Sequence, residues 1–299
     1  MTVLPTLQAE LAAATHRLLA TAASLSDADL TAPSLLPGWT RGHVLAHLAQ
    51  NADSHLNLLT WAKTGARTPQ YASYEARAAR IEAAATRPAA QLVADVQDGA
   101  ARLAAAVRDL PEQAWSAQVE GMRPPPHPAW YLLVRRLREV GFHHVDLDAG
   151  YGPADWPEPF VNRELRDCLA TWPRAKSTVS EIRLIDPAVE HSTGSDPAVE
   201  HSTGSDPAVE HPTGLDPTFA QAPGVVTRWR DLGTGPVVQG APRDMLAWLT
   251  GRSDGRGVTL VPAGQSLMPG PGGTGLPEPP PWLTMPAPAD LPATPPKDY

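Results

Sequence analysis

The stretch Trp130–Asp148, WYLLVRRLREVGFHHVDLD, constrains the fold more than any other part of the chain. Leu133, Leu137 and Val140 recur at spacings of four and three, which draws one apolar stripe along a helix. Beside the stripe stand Glu139 and His143, four residues apart. That spacing is just over one helical turn, so both side chains leave one face about 6 Å apart along the axis. A carboxylate and an imidazole so placed can grip one metal ion. A third ligand has to come from elsewhere, and the best candidate lies within Leu36–Trp61.

The rest of the chain supplies neighbours for this helix. Residues 6–25 read as a first helix, with Leu7, Leu11, His16, Leu18 and Leu19 near one face. A second starts at Thr40, a candidate N-cap, carries Val44, Leu45, Leu48, Ala52, Leu56 and Leu59 at helical spacing, and stops at Gly65. Residues 73–110 are rich in alanine and arginine and helical, divided by Pro88, which suits the first turn of the second piece. A connection with Pro124, Pro125, Pro126 and Pro128 leads into the organising helix. Four principal helices joined this way predict an antiparallel four-helix bundle over residues 1–150.

Past the proline-rich break at 150–159 the period changes. A helix at Phe160–Trp172 is followed by strands at Val179–Leu184, Val225–Arg230 and Pro236–Gly240, a helix at Pro242–Thr250 and a short strand at Val258–Val261. This predicts a small α/β domain over 151–262, so the chain as a whole is α+β. The domain is interrupted at 186–215 by a decapeptide repeat, DPAVEHSTGS twice and DPAVEHPTGL once. With one valine per unit among Pro, Ser, Gly, Asp and Glu, it cannot bury a core and reads as a disordered insertion. Its histidines, His191, His201 and His211, are accounted for by repeat expansion rather than metal binding. The proline-rich residues 263–299 read as a disordered, extended tail.

Composition excludes several function classes. The net charge is -8 with no long basic run, which argues against a nucleic-acid partner. The single cysteine, Cys168, permits no internal disulfide and no cysteine-based zinc site. No uncharged apolar run reaches the length of a membrane span, and the first helix is amphipathic rather than a signal peptide. A cytoplasmic monomer acting on small molecules is the expectation.

His43, His47 and Asn51 form a polar stripe beside the apolar one on the second helix. Read alone, the stripe is better explained as a set of exposed helix residues than as a ligand face. The segments LPGWTRGHVLAHLAQNADSHLNLLTWAKTG (36–65) and REVGFHHVDLDAGY (138–151) resemble the mycothiol-dependent maleylpyruvate isomerase family. The resemblance implies a DinB-like zinc-binding four-helix bundle followed by a small α/β domain. It places His47, Glu139 and His143 on the zinc ligands and leaves His43 and His144 outside the set. It also matches Arg252 to an arginine beside the thiol cofactor, although an arginine at a helix C-terminus is equally explained by the helix dipole. The implied cofactors are Zn2+ and mycothiol, the sugar-based thiol of actinobacteria. The implied reaction converts maleylpyruvate to fumarylpyruvate by thiolate addition to the cis double bond, rotation and elimination. Two alternatives stay open: a mycothiol S-transferase acting on another electrophile, and a non-catalytic metal- or thiol-binding protein.

The repeat generates a first prediction. Deleting Asp196–Leu215 leaves the melting temperature and metal content nearly unchanged, because such a segment contributes no buried surface. A loss of several degrees in a thermal melt would show that the repeat packs on the fold.

Overall fold

The computed structural model describes residues 2–185, 225–262, 275–281 and 286–299; the decapeptide repeat lies outside the described residues. Helix α1 (Leu4–Ala23) and the short α2 (Asp27–Thr31) lead to α3 (Arg41–Thr64), α4 (Tyr74–Ala85) and α5 (Ala89–Arg108). A two-stranded hairpin, β1 (Gln118–Val119) and β2 (His127–Pro128), precedes α6 (Tyr131–Asp146). Then come α7 (Glu158–Ala170), β3 (Glu181–Ile185), β4 (Val225–Trp229), β5 (Val237–Gly240), α8 (Pro242–Leu249) and β6 (Val258–Leu260).

Helix α3 forms as its ends dictate. Thr40 Oγ1 accepts from the His43 backbone N–H, and His43 Nδ1 returns to the Thr40 backbone N–H, a capping box in which histidine takes the acidic role. At the other end Gly65 adopts φ 74° and donates to the Trp61 carbonyl, a conformation that glycine adopts without a Cβ clash. Pro88 stands just before the first turn of α5, at its N-cap, rather than inside it. Helices α1, α3, α5 and α6 form the bundle, with α4 laid against α3. On α1, Leu7 and Leu18 are buried, whereas His16 is exposed; the core face runs through Ala22 instead.

Helix α6 feeds two cores. Leu132, Leu133, Val134 and Leu137 pack into the bundle beside Leu58, Leu103 and Trp115. One to two turns later, Phe142 and Val145 enter the core of the second domain with Trp156, Phe160, Ile182 and Trp248. Close approach of α7 depends on Gly141, where an added Cβ would sit 2.6 Å from the Phe160 ring. The Trp156 indole N–H donates to the Gly141 carbonyl across the same contact. The second domain is a four-stranded sheet of order β4-β3-β5-β6. Strands β3 and β5 are parallel, with Ile182 opposite Val238, and the other two pairs are antiparallel. Ile182, Leu184 and Val238 face α7 and α8 at the period of two expected for a sheet covered on one side.

The described part of the tail departs from the expected unpaired state. Residues 286–299 carry no helix or strand but pack on the bundle. Trp130 Nε1 donates to the Pro292 carbonyl at 2.9 Å and the Val3 N–H to the Pro296 carbonyl at 2.7 Å. Tyr299 packs edge-on to Trp130, stacks beneath the Arg166 guanidinium, and donates its hydroxyl to buried Asp167. Proline-rich chain has little conformational freedom to lose and keeps its carbonyls as acceptors, so one aromatic anchor holds it. A hydrogen bond to a charged group contributes about 1.5–3 kcal/mol. Tyr299→Phe should therefore destabilise the protein by about that amount in urea unfolding, with the m-value unchanged. An unaltered midpoint would mean that the tail does not hold to the bundle in solution.

Candidate metal centre and its cleft

Helices α3 and α6 pack side by side and bring His47 to Glu139 and His143, from which the sequence separates it by more than 90 residues. His47, Glu139 and His143 each offer one donor atom, and the three atoms lie within 4.8 Å of one another. One oxygen, Glu139 Oε2, sits 2.8 Å from His47 Nε2 and 3.3 Å from His143 Nε2. The two imidazole rings meet edge to face with centroids 4.7 Å apart. Two imidazoles and a carboxylate in so small a volume could hold zinc, with one position left open, as in three-ligand catalytic sites.

The supporting contacts fix the rings. His143 Nδ1–H donates to Asp146 Oδ2 at 2.8 Å, which leaves Nε2 facing the centre. Asp146 is in turn clasped by Arg252, with Nε on Oδ1 at 3.1 Å and Nη2 on Oδ2 at 2.6 Å. A carboxylate behind a histidine is the usual device for orienting a metal-binding imidazole. Here that carboxylate is anchored from the second domain, since Arg252 follows α8. Burial opposes the His143 imidazolium, but the Asp146 and Glu139 carboxylates outweigh it and raise the pKa above the ordinary histidine value. Burial would likewise push the Glu139 carboxyl up, and the two imidazoles hold it well below the usual range. His47, the most deeply buried of the three, is brought down to about 4, chiefly by desolvation. Arg77 Nη2 lies 3.1 Å from His47 Nδ1. A guanidinium only donates, so Nδ1 accepts and Nε2 directs the ring hydrogen at Glu139. A metal at Nε2 would displace that hydrogen, and Nδ1 of the neutral ring would then need an acceptor in place of Arg77.

The neighbouring histidines are turned elsewhere. His43 caps α3 and pairs with Glu82 at 3.1 Å. His144 donates or accepts at Thr21 Oγ1 at 2.8 Å and stacks on Tyr151. Trp39, just before α3, meets the His47 ring edge to face with centroids 5.7 Å apart. Cys168 is buried in the second-domain core, and burial pushes its thiol pKa well up, so it is a poor nucleophile.

The centre opens into a cleft of about 460 Å³, walled by Leu36, Phe142 and Met122. Five arginines line it, Arg77, Arg123, Arg135, Arg138 and Arg252, against one carboxylate, Glu139. Sequence reasoning reached Arg252 among these and missed the other four, along with Asp146. Asp146 had a signal, since it follows His143 by three residues and shares its helix face. The arginines had none, because which of them face the cleft depends on how α4, α6 and the hairpin pack.

Residues 11–148 match the family described as mycothiol maleylpyruvate isomerase N-terminal domain. Among solved structures, the chain is similar to the crystal structure of the mycothiol-dependent maleylpyruvate isomerase, with a TM-score of 0.70 and 28% identity over 93% of this chain and 96% of that one. A mutant of that enzyme matches with the same values. No curated protein matches the chain.

Substitution by alanine at His47, Glu139 or His143 should each remove most of the zinc measured per chain, whereas His43→Ala and His144→Ala should retain it. If His43→Ala strips the metal and His47→Ala does not, the centre lies one turn away. Because the His143 pKa is raised above the ordinary histidine value, protons compete with zinc more strongly than at an ordinary histidine, and the competition grows as pH falls. Zinc uptake should release protons increasingly as pH falls toward the histidine range, and the affinity should drop on acidification. A pH-independent affinity between about pH 5.5 and 7.5 would contradict the site.

Proposed function

We propose that this chain, whose residues 11–148 match the mycothiol maleylpyruvate isomerase N-terminal domain family, is a zinc-dependent, mycothiol-using isomerase converting maleylpyruvate to fumarylpyruvate. The observation that carries the reading is the His47–Glu139–His143 donor set at the mouth of an arginine-rich cleft, in a chain that aligns with the isomerase over nearly its full length. Metal and thiol together, when bound, supply a thiolate nucleophile at neutral pH for reversible addition to a cis double bond.

The chain's own residues hold and orient. His47, Glu139 and His143 would hold the metal, and Asp146 keeps His143 in the tautomer that presents Nε2. Arg252 holds Asp146 and the Thr250 carbonyl and faces the cleft, where its remaining N–H groups can meet the thiol or a substrate oxygen. Tyr71 and Asn51 line the same wall as uncharged donors; burial raises the tyrosine pKa, so its hydroxyl keeps its proton. Leu36 and Phe142 limit water around the reacting carbons. Cys168 takes no part. Among the described residues no helix is long and apolar enough to cross a membrane.

Formation of fumarylpyruvate should require both mycothiol and zinc, stop on chelation, and return when zinc is added back. Cys168→Ser should keep full turnover, and Arg252→Met should lower kcat/KM by at least about tenfold while the protein stays folded. Thiol-dependent conversion of other electrophiles, with maleylpyruvate inert, would move the assignment to a mycothiol S-transferase. The absence of any thiol-dependent turnover would leave a binding protein.

A further inference from the structure

The five arginines of the cleft are not equivalent. Arg138 is matched by two buried carboxylates, Glu164 and Asp167, each at 2.6 Å. Arg252 is matched by Asp146. Arg77 is engaged by His47 Nδ1 and lies over the Tyr71 ring. Arg135, like Arg77, has no carboxylate within ion-pairing distance among the described residues, but its side-chain hydrogen bond runs from Nη1 to His127 Nε2 at 3.3 Å, a histidine outside the candidate ligand set.

His127 is built for that contact. It sits on β2, fully buried, edge-on to Tyr131 at 5.4 Å. Its Nδ1–H donates to the Pro128 carbonyl at 3.1 Å, which leaves Nε2 as the acceptor. Desolvation first, and the Arg135 charge second, hold its pKa down at about 3, so the ring is neutral at physiological pH. A neutral acceptor orients a guanidinium without cancelling its charge. Desolvation also lowers the Arg135 pKa, against the opposing pull of Tyr131 and Glu139. Arg135 therefore stands in the cleft as an aimed charge with no carboxylate in ion-pair contact among the described residues.

We infer that Arg135 is the carboxylate-binding residue of the cleft and sets its preference for electrophiles that carry a second carboxylate. The inference rests on the reading above that a small electrophile is handled at the metal centre. Arg135 precedes Glu139 by four residues on α6, so the two side chains share a face about 5–6 Å apart at Cβ. A cis-enedioate of four to seven carbons spans that distance, with its double bond toward the centre and its far carboxylate in the fork of the guanidinium. Planar, two-pronged donation to a carboxylate is what arginine provides and lysine does not. His127 acts as a positioning residue, through Arg135.

The test uses the zinc-loaded full chain and two probes, maleate and its monomethyl ester, titrated without thiol so that nothing turns over. Wild-type protein should bind maleate at least about 30-fold more tightly than the monoester, the ratio expected for removing one partner of a buried charge pair. In Arg135→Gln that gap should collapse, with zinc content unchanged, and Arg135→Lys should recover part of it. With maleylpyruvate as substrate, Arg135→Gln should raise KM for the diacid and leave KM for mycothiol unchanged. Equal binding of maleate and monoester by the wild type, or an undiminished gap in folded, zinc-replete Arg135→Gln, overturns the assignment whether or not the protein is an isomerase. A protein that binds maleate through Arg135 yet does not isomerise maleylpyruvate sinks the isomerase reading and leaves the assignment standing.

Discussion

A helix buried on most of its faces must find a partner for every charge it carries, and much of this structure answers that requirement for α6. Arg136, nearly fully buried, donates to the Leu48 carbonyl and to Asn51 Oδ1 on α3. Arg138 reaches across to Glu164 and Asp167 on α7. Asp146 is met by Arg252 from beyond α8. Each contact satisfies a group whose isolation would cost several kcal/mol, and each fastens α6 to a different element. Glu139 and His143 are the members of this row whose partners come together at one point with His47. The candidate metal centre is thus the place where the charge matching of α6 gathers three donor atoms in one spot.

The same logic explains why two domains and a tail are needed around a site carried by two helices. The second domain contributes Arg252, which sets Asp146 and through it His143. It also contributes Asp167, which accepts from Tyr131, Arg138 and Tyr299 together. Tyr299 thereby joins the tail to the carboxylate that neutralises a cleft arginine. The tail is coupled to the cleft through a chain of contacts, although it touches none of the candidate ligands.

Much of this architecture was legible in the sequence. Periodicity located the bundle helices and the strands of the second domain because their apolar residues repeat at 3.6 or 2 with clean caps, as Thr40 and Gly65 illustrate. The pairing of Glu139 with His143 followed from helical spacing, whereas His47 became more than one polar residue among three only through family resemblance. What could not be read depends on long-range packing. The two-residue strand that carries His127 is too short to leave a periodic signal, and the partners of Arg138 lie on another helix. The described part of the tail departs from the expectation because composition reports the lack of side chains to bury; it does not report the carbonyls a proline-rich segment offers to Trp130 and Val3.

The central claim is that His47, Glu139 and His143 share one zinc and leave a position for a thiol sulfur. X-ray absorption at the zinc edge tests it most directly. The zinc-loaded protein should show a shell of nitrogen and oxygen alone at about 2.0–2.2 Å, and adding mycothiol should bring in one sulfur at about 2.3 Å. A shell that stays free of sulfur at saturating thiol would contradict the account.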